Sequence, residues 1–294
     1  MTSVRNATGT YPAIRVAMAA NQTSTRSRGK RVRVPAFMGL FFLVPGIAAA
    51  SLTAGYSTAS AAPVAIHPSL ASLAAPVRAK SVCPSNMAHV GSSCVDKYEA
   101  SLVERIPGGE QSFSPYQAPN GHDVRAVSRP GVVPQAHISM VEAKRACSAS
   151  GKRLCKAAEW KNACKGPDST RYPYGNKRVA GACVDTNRSS PMNVLHNGER
   201  SGKTMNDPLA NQMTNTVEAT GSKASCTNDY DVHDMVGNVH EWTDDASFRG
   251  GYYLDTKLNG EGCDYRTTAH APSYYDYSTG FRCCADAGSA PDDN

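Results

Sequence analysis

Ten cysteines, every one between Cys83 and Cys284, constrain this 294-residue chain more than any other feature. An even number confined to one stretch reads as a disulfide framework, which persists in an oxidising compartment. Each long-range bridge stabilises a fold by about 2–4 kcal/mol, enough to hold a domain built largely of loops. Which cysteine joins which is open from the residues alone.

The N-terminus matches the compartment that the cysteines need. Arg26-Ser27-Arg28-Gly29-Lys30-Arg31-Val32-Arg33 precedes an apolar run over residues 36–50. A basic segment, a short apolar stretch and small residues after it describe a secretory signal. Pro45-Gly46 interrupts the run, which is short for a membrane span. Ala48-Ala49-Ala50 and Ala59-Ser60-Ala61 both offer cleavage sites, and Met18 is an alternative start. The expected organisation is a leader (1–50), a flexible Ala/Ser/Pro-rich tether (51–80), one domain (81–287) and a tail (288–294). The expected location is exported (periplasmic, secreted or cell surface), with membrane attachment only if the leader stays uncleaved.

The formal charge of +6 misleads if read whole. Residues 1–80 hold nine Lys/Arg and no Asp or Glu, which leaves 22 basic against 25 acidic groups in residues 81–294. A nucleic-acid partner is therefore not expected.

Within the domain, Asp234-Met235-Val236-Gly237-Asn238-Val239-His240-Glu241-Trp242 is the richest stretch. Asp234 and Glu241 supply carboxylates, Gly237 allows a sharp turn, and the carbonyls of Gly237 and Val239 lie between them, a cradle suited to calcium. Its plain alternative is a Gly-Asn turn feeding a strand with Trp242 in the core. Upstream, Ser139 and Glu142 form a capping box that opens a helix with Ala143, Ala146 and Cys147 on one face and a stop at Gly151. A second helix is expected over about Lys156 to Cys164, with Trp160 inward as a core aromatic and Gly166 ending it. From Tyr172 to Tyr230 the chain is polar without periodicity, the mark of functional loops.

These residues resemble a known family. The stretch just quoted, followed by Arg249-Gly250-Gly251 and Gly280-Phe281-Arg282-Cys283 and preceded by Gly151-Lys152-Arg153-Leu154 and Ala158-Glu159-Trp160, is similar to the formylglycine-generating enzymes, or sulfatase-modifying factors. The likeness covers about residues 81–287. It implies an α+β, disulfide-rich, irregular fold of the C-type-lectin kind, with little regular secondary structure and bound calcium. It also implies the bridges Cys147–Cys283 and Cys164–Cys263. The remaining six cysteines then pair most simply as Cys83–Cys94, Cys183–Cys226 and Cys155–Cys284, with exchange between Cys283 and Cys284 as the main alternative. A second calcium site is implied with Asp185 as ligand and Asn187 behind it.

The family's reaction oxidises a sulfatase cysteine with copper held by two thiolates spaced five apart, since soft sulfur suits Cu(I). The resemblance places those positions at Tyr253 and Leu258, and neither ligates copper. Copper is therefore not expected. Among the histidines His240 stands where the family has an aromatic, and His270 lies in the segment lining its substrate groove. Two functional readings follow. One is a calcium-stabilised binding module, with Tyr252, Tyr253, His270, Tyr274 and Arg282 as candidate groove residues facing a peptide, glycan or exported protein. The other is an oxidoreductase acting on an exported peptide, a sulfatase cysteine or a siderophore precursor.

Overall fold

The computed structural model describes residues 82–186 and 190–289. The leader, the tether, the end of the tail and Asn187 lie outside the described residues. In chain order the elements are β1 (Met87–Val90), β2 (Ser93–Asp96), β3 (Ala100–Ile106), β4 (Gly109–Ser112), β5 (Val124–Ser128), α1 (Met140–Ala149), β6 (Arg153–Leu154) and α2 (Ala157–Lys165). They continue with α3 (Pro191–His196), β7 (His240–Thr243), β8 (Ser247–Arg249), β9 (Arg266–Thr267), β10 (Thr279–Phe281) and β11 (Cys283–Asp286). The fold is α+β with low regular content.

Three small sheets share the strands in the orders β1-β2-β11-β6, β10-β7-β8-β9 and β4-β3-β5. Chain ends meet the middle of the sequence in two of them. Strand β11 lies between β2 and β6, and β10 runs parallel to β7 with Gly280 opposite Glu241 and Phe281 opposite Trp242.

Both helices start where the residues direct. Ser139 Oγ accepts from Glu142 N–H at 3.2 Å, while the Glu142 carboxylate turns to Arg145 instead of closing the reciprocal half of the box. Ala143, Ala146 and Cys147 form the buried face of α1. Helix α2 begins at Ala157, with Lys156 N–H donating to Glu159 Oε2 at 3.0 Å, and ends at Gly166 with φ 66°. The polar middle segment is less irregular than expected. It holds α3 and two single-turn 3₁₀ helices, Thr204–Asn206 and Pro208–Asn211, and Met192 and Ala210 pack there with Val184, Tyr253 and Tyr277.

All ten cysteines are paired, as Cys83–Cys94, Cys147–Cys283, Cys155–Cys284, Cys164–Cys263 and Cys183–Cys226. The neighbours Cys283 and Cys284 take different partners because successive strand residues point to opposite faces. Cys283 joins the core around Trp242, Phe248 and Phe281, and Cys284 the core around Trp160 and Met235. Strand β11 is thereby stapled between α1 and the segment leading into α2.

Candidate functional site

The five sequence motifs meet around two buried carboxylates, Glu241 and Asp96. Because β10 runs parallel to β7, Arg282 reaches Glu241, donating Nη2 to Oε1 and Nε to Oε2, both at 2.7 Å. Trp160 of α2 donates Nε1 to the same Oε2 at 2.6 Å. Arg282 also binds the carbonyls of Asp96, Lys97 and His233. Lys152 pairs with buried Asp96, whose Oδ2 accepts Cys283 N–H, and Arg153 forks onto Glu159. Gly250 completes the junction: at φ 76° a Cβ there would lie 2.5 Å from Met235 O and 3.2 Å from Trp160. The motifs thus supply a buried ionic frame.

That frame carries the turn proposed to hold calcium. Asp234, Gly237 and Asn238 adopt φ of 58°, 84° and 55°, and a Cβ on Gly237 would lie 2.3 Å from Val184 O. Asp234 Oδ2 accepts Gly221 N–H at 2.6 Å, whereas its Oδ1 is buried and has no partner. Glu241 has three hydrogen bonds on its two oxygens, which leaves one lone-pair site of about four. Glu99 is also fully buried nearby. Burial, then the charges of Asp234 and Glu241, push its carboxyl well up, and burial pushes Asp234 up to about 6. Three buried carboxyl groups face the guanidinium of Arg282, which forks onto Glu241 alone. The orphaned Asp234 oxygen fits a hard divalent cation. Among the described residues no three His, Cys, Asp or Glu side chains converge as a metal cage, so such a cation would draw on the carbonyls of Gly237 and Val239 as well as Asp234 and Glu241.

Asp185 lies beside this turn through the Val184–Gly237 bridge. Its Oδ1 accepts Gly181 N–H at 3.0 Å, while its Oδ2 lies 2.7 Å from Arg178 Nη2 as an ion pair without a hydrogen bond of its own. Asp185 thus ties its own loop through Gly181 and faces a guanidinium that the residue pattern did not reveal.

The candidate groove divides. Tyr252, His270 and Tyr274 are half-buried. His270 stacks on Tyr274 at 3.9 Å between centroids with 22° between planes, and both lean on Phe248. Two expected members do not belong to it. Tyr253 is fully buried, with its hydroxyl near Asn211 Oδ1, and Arg282 is fully buried against Glu241. Packing against the middle segment and the ionic frame has claimed them. Beneath Tyr252, at 4.8 Å between centroids, lies His240, which burial pushes down to about 4 and which is neutral at ordinary pH. Its Nδ1 is buried without a partner.

The two positions expected to replace the copper thiolates do not meet one another chemically. Tyr253 is 0% exposed and Leu258 is 85% exposed, and all cysteines are in disulfides. The residues present do not fit copper.

Residue patterns missed two parts of the site. The residue pattern marks Trp160 as core only, although a buried indole N–H needs an acceptor and so signals a polar partner. Glu99 belongs to no motif, and nothing in its local sequence marks it.

Comparison with known proteins agrees with these motifs. A family model described as sulfatase-modifying factor enzyme 1-like domain matches residues 89–289. The inactive C-alpha-formylglycine-generating enzyme 2 of Bos taurus is 30% identical over 171 residues, covering 54% of this chain and 52% of that protein. The formylglycine-generating enzyme of Thermomonospora curvata is 27% identical over 216 residues, covering 64% and 65%. The chain thus spans about half to just under two thirds of these relatives. Among solved structures, PvdO from Pseudomonas aeruginosa aligns with a TM-score of 0.41 at 16% identity, over 66% of this chain and 80% of that one.

Proposed function

We propose, because the chain belongs to the sulfatase-modifying factor family, that it is an exported member which has given up copper chemistry and acts as a calcium-stabilised binding module for a peptide or glycan. The observation that carries this reading is the replacement of the paired thiolates by buried Tyr253 and exposed Leu258, with no free cysteine elsewhere. Export is supported by five disulfides, which need an oxidising compartment. No helix among the described residues is long and apolar enough to cross a membrane.

Calcium would be held by Asp234 and Glu241 with the Gly237 and Val239 carbonyls, and when bound it would neutralise the buried carboxylates. The ligand face would be the rings of Tyr252, His270 and Tyr274, which offer rigid area with polar edges.

Two measurements test the reading. Metal analysis of untagged protein is expected to find stoichiometric calcium and no tightly held copper or iron. A dialysis-resistant redox metal favours an oxidoreductase instead. On peptide-display and glycan arrays, wild-type protein should retain ligands that a Tyr252→Ala/Tyr274→Ala variant loses. Equal profiles for the two proteins would remove the groove from the reading.

A further inference from the structure

In the polar middle segment the fold brings an imidazole and a carboxylate together. His196 is the last residue of α3, which ends at Asn197 with φ 50° and its N–H on Met192 O. Asp207 caps the 3₁₀ helix Pro208–Asn211, accepting Leu209 N–H on Oδ1 at 2.9 Å. Met192 of α3 and Ala210 of the 3₁₀ helix lie in one buried cluster, which holds the two carriers against each other. The second Asp207 oxygen is thereby turned to His196, with Oδ2 3.0 Å from Nε2.

That distance suits a hydrogen bond, yet none forms. Nε2 is buried without a hydrogen-bond partner, so it is the direction that fails: the carboxylate oxygen lies off the axis of the ring nitrogen. A buried ring nitrogen left in this way costs stability until something satisfies it. Adjacent ligands of a first-row divalent ion, each about 2.0–2.2 Å from the metal, lie about 3.0–3.5 Å apart. Two donors at that spacing which do not aim at each other suit a shared third partner. Both also line a cavity of about 540 Å³, together with Glu199 and Asn206. Glu199, whose N–H donates to His196 O at 2.9 Å, brings a further carboxylate to the same wall. Lys203 on that lining is exposed, and solvent screens its charge.

We propose that His196 and Asp207 form a site for a borderline divalent cation, for which zinc is the probe, with Glu199 and water completing its shell. An imidazole nitrogen favours such ions over calcium, which takes oxygen ligands. Leu209 N–H orients the Asp207 carboxylate, as a hydrogen bond commonly does for a ligating carboxylate. A bound ion would pin α3 to the 3₁₀ turn beside Asn206, whose Nδ2 donates to Tyr275 O next to Tyr274 of the groove at 3.1 Å. The site shares no residue with the Asp234–Glu241 turn and does not depend on calcium there.

The test is calorimetric titration of untagged wild type, His196→Gln and Asp207→Asn with zinc, with and without millimolar calcium, alongside melting in chelator. Wild type is expected to bind zinc stoichiometrically whether or not calcium is present, and each variant to bind it about tenfold or more weakly. Both variants should melt close to wild type in chelator, since an amide oxygen at position 207 still accepts Leu209 N–H and Nε2 of His196 makes no hydrogen bond to lose. Wild-type protein that ignores zinc, or three proteins that bind it equally, overturns the proposal. Zinc that calcium displaces sits in the acidic turn instead, and overturns it as well. A variant that melts lower in chelator and binds zinc like wild type shows that the pair serves the fold alone, against the proposal.

Discussion

Replacing Arg282 by Met should be among the most destabilising single changes in this domain. The guanidinium is fully buried and forks onto Glu241 at 2.7 Å on both arms. Breaking a buried ion pair from one side costs about 3–5 kcal/mol, because the surviving charge has no partner. The carbonyls of Asp96, Lys97 and His233 lose their donors as well, at about 1 kcal/mol or more each before relaxation. A total of at least about 4 kcal/mol is expected, a large part of the ~5–15 kcal/mol that holds most domains together. The assay is urea unfolding in chelator, followed by fluorescence of Trp160 and Trp242, both buried. Glu241→Gln/Arg282→Met should be more stable than Arg282→Met by about 1 kcal/mol or more, since no isolated carboxylate remains at position 241. A cost below about 1 kcal/mol for Arg282→Met, or a double variant as unstable as the two single changes summed, would refute the account of the ionic frame.

Three further outcomes follow from the geometry. Gly237→Ala should cost about 2 kcal/mol or more in the same assay, because its φ is 84° and the new Cβ would overlap Val184 O; a neutral result would mean that the turn relaxes. His240 should make the protein lose stability as pH falls. Its native pKa is pushed down to about 4, below the ordinary value of 6.5, so the unfolded chain takes up the proton first, and up to about 3 kcal/mol is lost between pH 6.5 and 4. His240→Phe should flatten that part of the pH–stability curve, and an unchanged curve would count against burial as the cause. Removing Cys147–Cys283 by a double serine change should cost about 3–5 kcal/mol, given its separation of 136 residues, and should lower Tm more than removing Cys83–Cys94, which spans 11. Equal losses would argue that chain entropy is not what these bridges supply.

The residues themselves carried the family, the α+β class, both principal helices and the cysteine framework. These signals are local or ordinal: a cap at Ser139, a stop at Gly166 and five motifs in a fixed order are readable without knowing what touches what. Two of the five disulfides are implied by the family resemblance and the other three by the simplest pairing of the remaining cysteines, and the alternation of side chains along β11 explains why Cys283 and Cys284 part ways.

What only the tertiary structure decided is who neutralises whom. Arg282 and Tyr253 looked like groove residues because nothing in a linear chain says that β10 lies parallel to β7, or that the 3₁₀ turns after α3 cover the segment following Gly251. Asp185 looked free until Arg178 met it, and Glu99 looked ordinary until the fold placed it 139 residues away in sequence from Asn238. Burial and charge balance depend on neighbours distant in the chain, and in this protein they turn polar residues from separate motifs into a frame around one turn.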